Sequence, residues 1–417
     1  MIKHEIKTLK NGLRLITSEN NQTEAVTILI LVGAGGRFER KDQIGMTHFL
    51  EHMFFKGSKN YPTAFDISRE LDSIGSHYNA HPMEESTVYY VQSSVKDFKK
   101  AFSVVTDMYL NPVFDEQEFE PEKNVIIAEI NMHRDIPQSH VQSMNQEQMY
   151  GDHPLGYNLG GTVETISKMT KEDTINFRKA LYTPENTIIA IAGNPTGADW
   201  EKEVEELFSN LEKSEKIAAE PYKSQPVSKK FVQEVRKIDQ THLALSYFAL
   251  SKDDPRKYAM MILNSILGGG ASSRLFMEIR EKRGLAYYVS SGVATFADSG
   301  LMTFVAGIEP SKVKIALEVL QHVLKDITEN GPTEEELARA KGNIRGTIAL
   351  SLENSSEIAS FLAEDLLAFS RIRSIDEIIE SVEQVSTDEV QSLAKEIFKN
   401  EKMGLSIIGP KEYDLDL

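Results

Sequence analysis

The sequence contains no cysteine. That absence removes disulfides and thiolates together, so any metal ligand or nucleophile has to be a histidine, a carboxylate or a hydroxyl. Also missing is any run of about 18 apolar residues, the length a membrane-spanning helix requires. The N-terminal stretch MIKHEIKTLKNGLRLI holds no apolar signal-peptide core, and its Lys10-Asn11-Gly12 reads as a hairpin turn between short strands. With neither an export signal nor cysteine, a cytoplasmic location is expected. Basic charge is scarce, with 46 Lys and Arg against 63 Asp and Glu and a net charge of −17. A nucleic-acid partner needs a basic footprint that this balance does not supply. The acidic excess suits solvated helix faces and basic or amphipathic peptides as partners.

At 417 residues the chain exceeds one typical core and fits two domains of roughly 200 residues. Strands and helices interleave without strict alternation, which predicts an α+β protein. Val26 to Val32 is a β-prone run closed by Gly33-Ala34-Gly35-Gly36. Helices follow at about Thr47–Phe55 and at Thr63–Ile74, where Thr63 can cap. Ser76 to Ser94 is extended, Lys96 to Leu110 is helical, and Asp115 begins a further helix. Residues 94–129 and 309–346 share one grammar: extended strand, helix, turn with Asn and Pro, acidic cap, long helix. Asp115…Glu118 and Thr333…Glu336 both have capping-box spacing. The repetition implies two copies of one α+β unit, at 1–215 and 230–417, joined by a polar linker at 216–229.

His48-Phe49-Leu50-Glu51-His52 carries the chemistry. Histidines four apart on a helix project from one face, so both imidazoles can reach one metal ion. Glu51 then lies near the metal without having to ligate it, in the His-x-x-Glu-His order of the inverted zinc peptidases. A catalytic zinc usually takes three protein ligands, and without cysteine a carboxylate is the obvious third. Glu122 and Glu129, seven residues apart, share one helical face; one can ligate while the other supports it. Pro121 fits if it opens a turn and forces a kink if it lies deeper in the helix.

The pentapeptide followed after 76 residues by Glu129 resembles the pitrilysin or insulinase family of zinc peptidases, above all its short bacterial members related to mitochondrial processing peptidase. The resemblance runs across essentially the whole chain. It implies two homologous domains, each a mostly antiparallel sheet packed with helices. It also implies one zinc per chain on His48, His52 and Glu129, with Glu51 as the base that activates the zinc-bound water and Glu122 as a supporting acid. Asn79 and Ala80 match a family edge strand that binds an extended peptide beside the zinc, and Asn79 would orient the substrate carbonyl. His81 and Pro82 depart from that pattern, and Pro82 removes one backbone donor from the edge. Arg280 and Tyr287 match a pair that contacts substrate and stabilises the oxyanion. The expected activity is endopeptidase cleavage of short unfolded peptides inside a closed homodimer, each copy completing the other's site. A non-catalytic peptide-binding or assembly subunit of the same fold is the competing reading.

Two further patterns carry blander expectations. His77 and His81 are four apart but sit in an extended segment without a third ligand, so they read as surface or groove-lining residues. Leu267 to Phe276, with three glycines, lacks the Gly-Lys-Ser/Thr ending of a phosphate loop.

Overall fold

The computed structural model describes residues 2–195, 200–214 and 217–415, so the expected boundary at 215–216 lies outside the described residues. The chain forms two compact units. One combines Met1–Asn131, Tyr157–Glu220 and Leu350–Ser374; the other combines Met132–Gly156, Pro221–Ala349 and Ile375–Leu417. Neither unit is a contiguous half of the sequence: one segment from each half belongs to the other unit.

The first unit holds strands β1 (Glu5–Thr8), β2 (Arg14–Glu19), β3 (Ala25–Val32), β4 (His77–Pro82), β5 (Thr87–Ser94) and β6 (Thr187–Gly193). They lie in the order β1-β2-β6-β3-β5-β4. Only β2 and β6 pair in parallel. Strands β1 and β2 join through the Lys-Asn-Gly turn, where Gly12 adopts φ +98, a conformation that costs other residues a Cβ clash. The unbroken apolar run of β3 follows from burial on both faces. Val26, Ile28, Ile30 and Val32 face a core shared with helices Met46–Phe54 and Phe98–Leu110. Leu29 and Leu31 face Ala359, Leu362, Ala363 and Leu366 of helix Ser355–Phe369. Thr27, on that same face, shares a 2.8 Å hydrogen bond with the Ser355 hydroxyl.

The second unit holds β7 (Phe231–Val235), β8 (Thr241–Phe248), β9 (Ala286–Thr295), β10 (Gly300–Ile308) and β11 (Met403–Gly409), ordered β7-β11-β8-β10-β9. Its only parallel pair is β7 with β11. This reproduces β2-β6-β3-β5-β4 strand for strand. Leu243 and Leu245 of β8 face the main core, while Ala244 packs against Val141 of helix Pro137–Tyr150. Asn145 on that helix donates to the Gly404 carbonyl at 2.9 Å and accepts from the Ser246 hydroxyl. Each sheet thus has helices over both faces, and the second face is covered by a helix from the other half of the sequence.

Of the two expected capping boxes, one forms. Thr333 Oγ1 accepts from the Glu336 amide at 3.2 Å and Glu336 accepts from the Thr333 amide at 2.8 Å. Asp115 instead accepts from the nearer Gln117 amide at 3.0 Å, as a short Asx side chain does when it closes a turn on itself. Among the described residues no helix is long and apolar enough to cross a membrane.

Candidate metal centre

Helix Met46–Phe54 is fixed by one apolar face. Met46, Phe49, Leu50, Met53 and Phe54 are buried against the sheet, and the Phe54 ring stacks among Tyr89, Tyr109 and Tyr182. That packing leaves no freedom of rotation about the helix axis, so His48 and His52 are held on the opposite side, partly exposed. The helix lies against edge strand β4.

The second contributor is helix Glu116–Asp135. Pro121 lies inside this helix, not at its opening turn, and so leaves the Gln117 carbonyl without its usual amide partner. Beyond it, Glu122 and Glu129 point to the histidines. His48 Nε2 and His52 Nε2 are 3.1 Å apart, and Glu129 Oε2 stands 3.7 Å from the first and 3.5 Å from the second. A point equidistant from the three atoms is about 2.0 Å from each, the usual length of a zinc bond to imidazole nitrogen or carboxylate oxygen. Three lone-pair donors converging this closely fit a divalent cation. Among the described residues this is the one group of His, Asp and Glu side chains that could hold a metal ion.

The two acidic residues of the long helix divide their roles by geometry. Glu122, almost fully buried, accepts from His52 Nδ1 at 2.6 Å and pairs with Lys56 through its other oxygen. A proton on Nδ1 leaves the Nε2 lone pair free to point at the metal position. Burial raises the Glu122 carboxyl, but the His52 and Lys56 hydrogen bonds outweigh it and hold the group below its ordinary value. Burial lowers His52, yet the Glu122 hydrogen bond and the charges of Glu51 and Glu129 raise it on balance. Glu51 is buried, with Oε2 3.8 Å from His52 Nε2. Burial pushes its carboxyl up to about 7; His52 opposes the shift, and the Glu129 and Glu122 charges add to it. In the sequence, Lys56 is signalled only by its place one turn after His52.

The other expected residues fall in two places. Asn79 and Ala80 lie on β4, one of the two outer strands of its sheet, and Asn79 Oδ1 accepts from the Ala80 amide at 2.9 Å. Pro82 ends that strand, while His81 stacks on Tyr90. Arg280 and Tyr287 belong to the second unit. Arg280 lies in a π-helical turn, Phe276–Glu281, with its guanidinium over the Phe276 ring at 4.9 Å. Neighbouring Lys282 and Arg283 both pair with Glu278, and among the described residues no carboxylate pairs with Arg280. Tyr287, on edge strand β9, is 58% exposed. In the glycine-rich segment, Arg274 is tied to Glu336, Asp326 and the Gly331 carbonyl, which secures the start of the π-helical turn.

The chain is similar to known proteins along most of its length. Residues 14–163 match the family described as insulinase (peptidase family M16), and residues 168–344 match the peptidase M16 inactive domain. An "uncharacterized zinc protease" of Bacillus subtilis is 33% identical over 97% of this chain and 97% of its own length. Another, of Streptomyces coelicolor, is 34% identical over 97% of this chain and 89% of its own. Among solved structures, a protease from Helicobacter pylori aligns with a TM-score of 0.90 at 23% identity, covering 98% of this chain and 100% of that one. A peptidase M16 inactive domain from Pseudomonas fluorescens aligns over 100% of both chains with the same score at 20% identity. The fold is therefore the two-unit α+β fold of these peptidases, and the chain belongs to the insulinase family, peptidase family M16, a family of zinc metallopeptidases.

Proposed function

We propose that this chain is a zinc-dependent endopeptidase that cleaves short, unfolded peptides. The observation that carries the reading is the convergence of His48, His52 and Glu129 on one point, with the buried carboxyl of Glu51 beside it. Zinc held by those three residues supplies a Lewis acid for the scissile carbonyl and brings the pKa of water toward about 7. Glu51 takes the proton of the attacking water and passes it to the leaving amine, a task suited to a carboxyl held near neutrality. Glu122 keeps the His52 ring in one tautomer and orientation. Strand β4 offers backbone donors and acceptors to an extended peptide, which gives affinity without strong sequence preference.

Arg280 and Tyr287 serve as oxyanion donors, a role supported by an exposed guanidinium without a carboxylate partner and an exposed phenol on an edge strand. We place them in a homodimer in which each copy completes the other's site, with two chains enclosing a chamber that admits unfolded segments. The inactive-domain match favours a second reading, a peptide-binding subunit without catalysis, but it covers residues 168–344, whereas all metal-centre residues fall within 14–163. Metal removal separates the two. The purified chain should hydrolyse a quenched-fluorescence peptide mixture, lose this on dialysis against a chelator, and regain it with one equivalent of zinc. Cleavage that survives complete zinc removal contradicts the proposal.

A further inference from the structure

The helix that carries His48, Glu51 and His52 begins without a cap of its own. Its N-cap is Gly45, at φ +91, which has no side chain to accept the orphan amides of the first turn. A Cβ at Gly45 would meet the Gly161 Cα at 2.5 Å, so no serine or aspartate can stand there. Glu39 fills the role from six residues upstream. The Gly45 amide donates to its Oε2 at 2.8 Å, and the Thr47 amide donates to its Oε1 at 2.7 Å. The residue is 3% exposed. Among the described residues no cation pairs with it: Arg37 serves Glu85 and the Glu220 carbonyl, and Arg40 serves Asp42.

Thr47 directly precedes His48, so the clamp grips the Met46–Thr47 peptide unit, one residue before the first histidine. Helix geometry adds an electrostatic consequence. A divalent cation bound by a residue of the first turn faces the positive end of the helix dipole, and a carboxylate on the same amides offsets it. We propose that Glu39 is a positioning residue of the metal centre: through the Gly45 and Thr47 amides it fixes the turn that presents His48, and its charge there strengthens binding of a divalent cation. This rests on His48, His52 and Glu129 being the metal ligands.

The test is zinc affinity of the metal-stripped full chain at about pH 8, where the Glu39 carboxyl is ionised, read by competition with a chromophoric chelator, for wild type, Glu39→Gln and Asp365→Asn. The glutamine side chain is nearly isosteric with glutamate but uncharged, and its amide group opposes one of the two backbone N–H groups. Asp365 is the control: an equally buried carboxylate, tied to Arg373 on a helix that covers the sheet's other face. Glu39→Gln is expected to bind zinc on the order of 10-fold more weakly, while Asp365→Asn keeps wild-type affinity even where its thermal midpoint falls. Should Glu39→Gln not fold, Glu39→Asp, one methylene short of spanning both amides, is expected to weaken zinc in the same direction. Wild-type affinity in either folded Glu39 variant, or an equal loss in Asp365→Asn, overturns the proposal. A wild-type chain that binds no zinc overturns the ligand assignment beneath it.

Discussion

The two units are built on one strand order and put it to different uses. After β3 comes helix Met46–Phe54, which turns two histidines and a glutamate away from its apolar face. After β8 comes helix Lys257–Gly268, whose sequence KYAMMILNSILG has no histidine and no acidic residue and buries Ala259, Met260, Ile262, Leu263, Ile266 and Leu267. Outer strand β4 of the first sheet presents Asn79; its counterpart β9 in the second presents Tyr287. The shared sheet is thus a frame with no chemistry of its own, and a few side chains on one helix decide whether a unit can hold a metal. The donors we propose for substrate, Arg280 and Tyr287, lie in the second unit.

That division of labour can be broken from either side. The largest effect should come from the first unit: Glu129→Gln removes the one carboxylate among the three donors, so zinc content should drop from about one per chain to near none, and peptide cleavage with it. Metal analysis by mass spectrometry reads this directly, and full zinc occupancy in the variant would place the third ligand elsewhere. A change in the second unit should do less and do it differently. Tyr287→Phe or Arg280→Gln should lower kcat by about 10²–10³ with zinc content unchanged, as loss of an oxyanion donor does. Steady-state kinetics beside metal analysis would tell; a loss of zinc in these variants would erase the distinction between the units.

The smallest effect concerns pH. Burial pushes Glu39 up to about 7 from an ordinary 4.5, although two backbone amides work against the shift. The folded chain therefore holds this proton more tightly than the unfolded chain. The stability it contributes is fully present below about 4.5 and is lost as pH rises through about 7. Glu51 titrates in the same window, so Glu39→Gln should flatten the fall in thermal midpoint of the metal-free chain without abolishing it. Scanning calorimetry from about pH 5 to about pH 8 measures the slope; equal slopes in variant and wild type would remove Glu39 from the titrating set.

Local signals made much of this legible in the sequence. The β3 run, the Thr63 and Thr333 caps, the Lys-Asn-Gly hairpin and the repeated strand-helix-helix order all rest on short-range chemistry. Which helix covers which sheet does not. Helix Pro137–Tyr150 reads PQSHVQSMNQEQMY, too polar to announce burial, and it fits the second sheet through Val141, Asn145 and Met149 along one face, with Asn145 satisfied by hydrogen bonds. Helix Ser355–Phe369 is apolar enough for any sheet, so its sequence cannot name its partner.

The site divides in the same way. Helical spacing alone brings His48 and His52 together, and it puts Glu122 and Glu129 on one face. Only three-dimensional placement separates them, with Glu122 at Nδ1 of His52 and Glu129 at the two Nε2 atoms. Glu39 reaches the same helix through an irregular loop, where no periodicity marks it.

We propose for Glu51 a proton transfer at a metal centre it does not build. Zinc content and peptide turnover should be measured on one preparation of Glu51→Gln, a variant that preserves shape and removes the base. About one zinc per chain with turnover lower by roughly 10²–10⁴ is the predicted result. Wild-type turnover by the zinc-loaded variant would exclude Glu51 as that base.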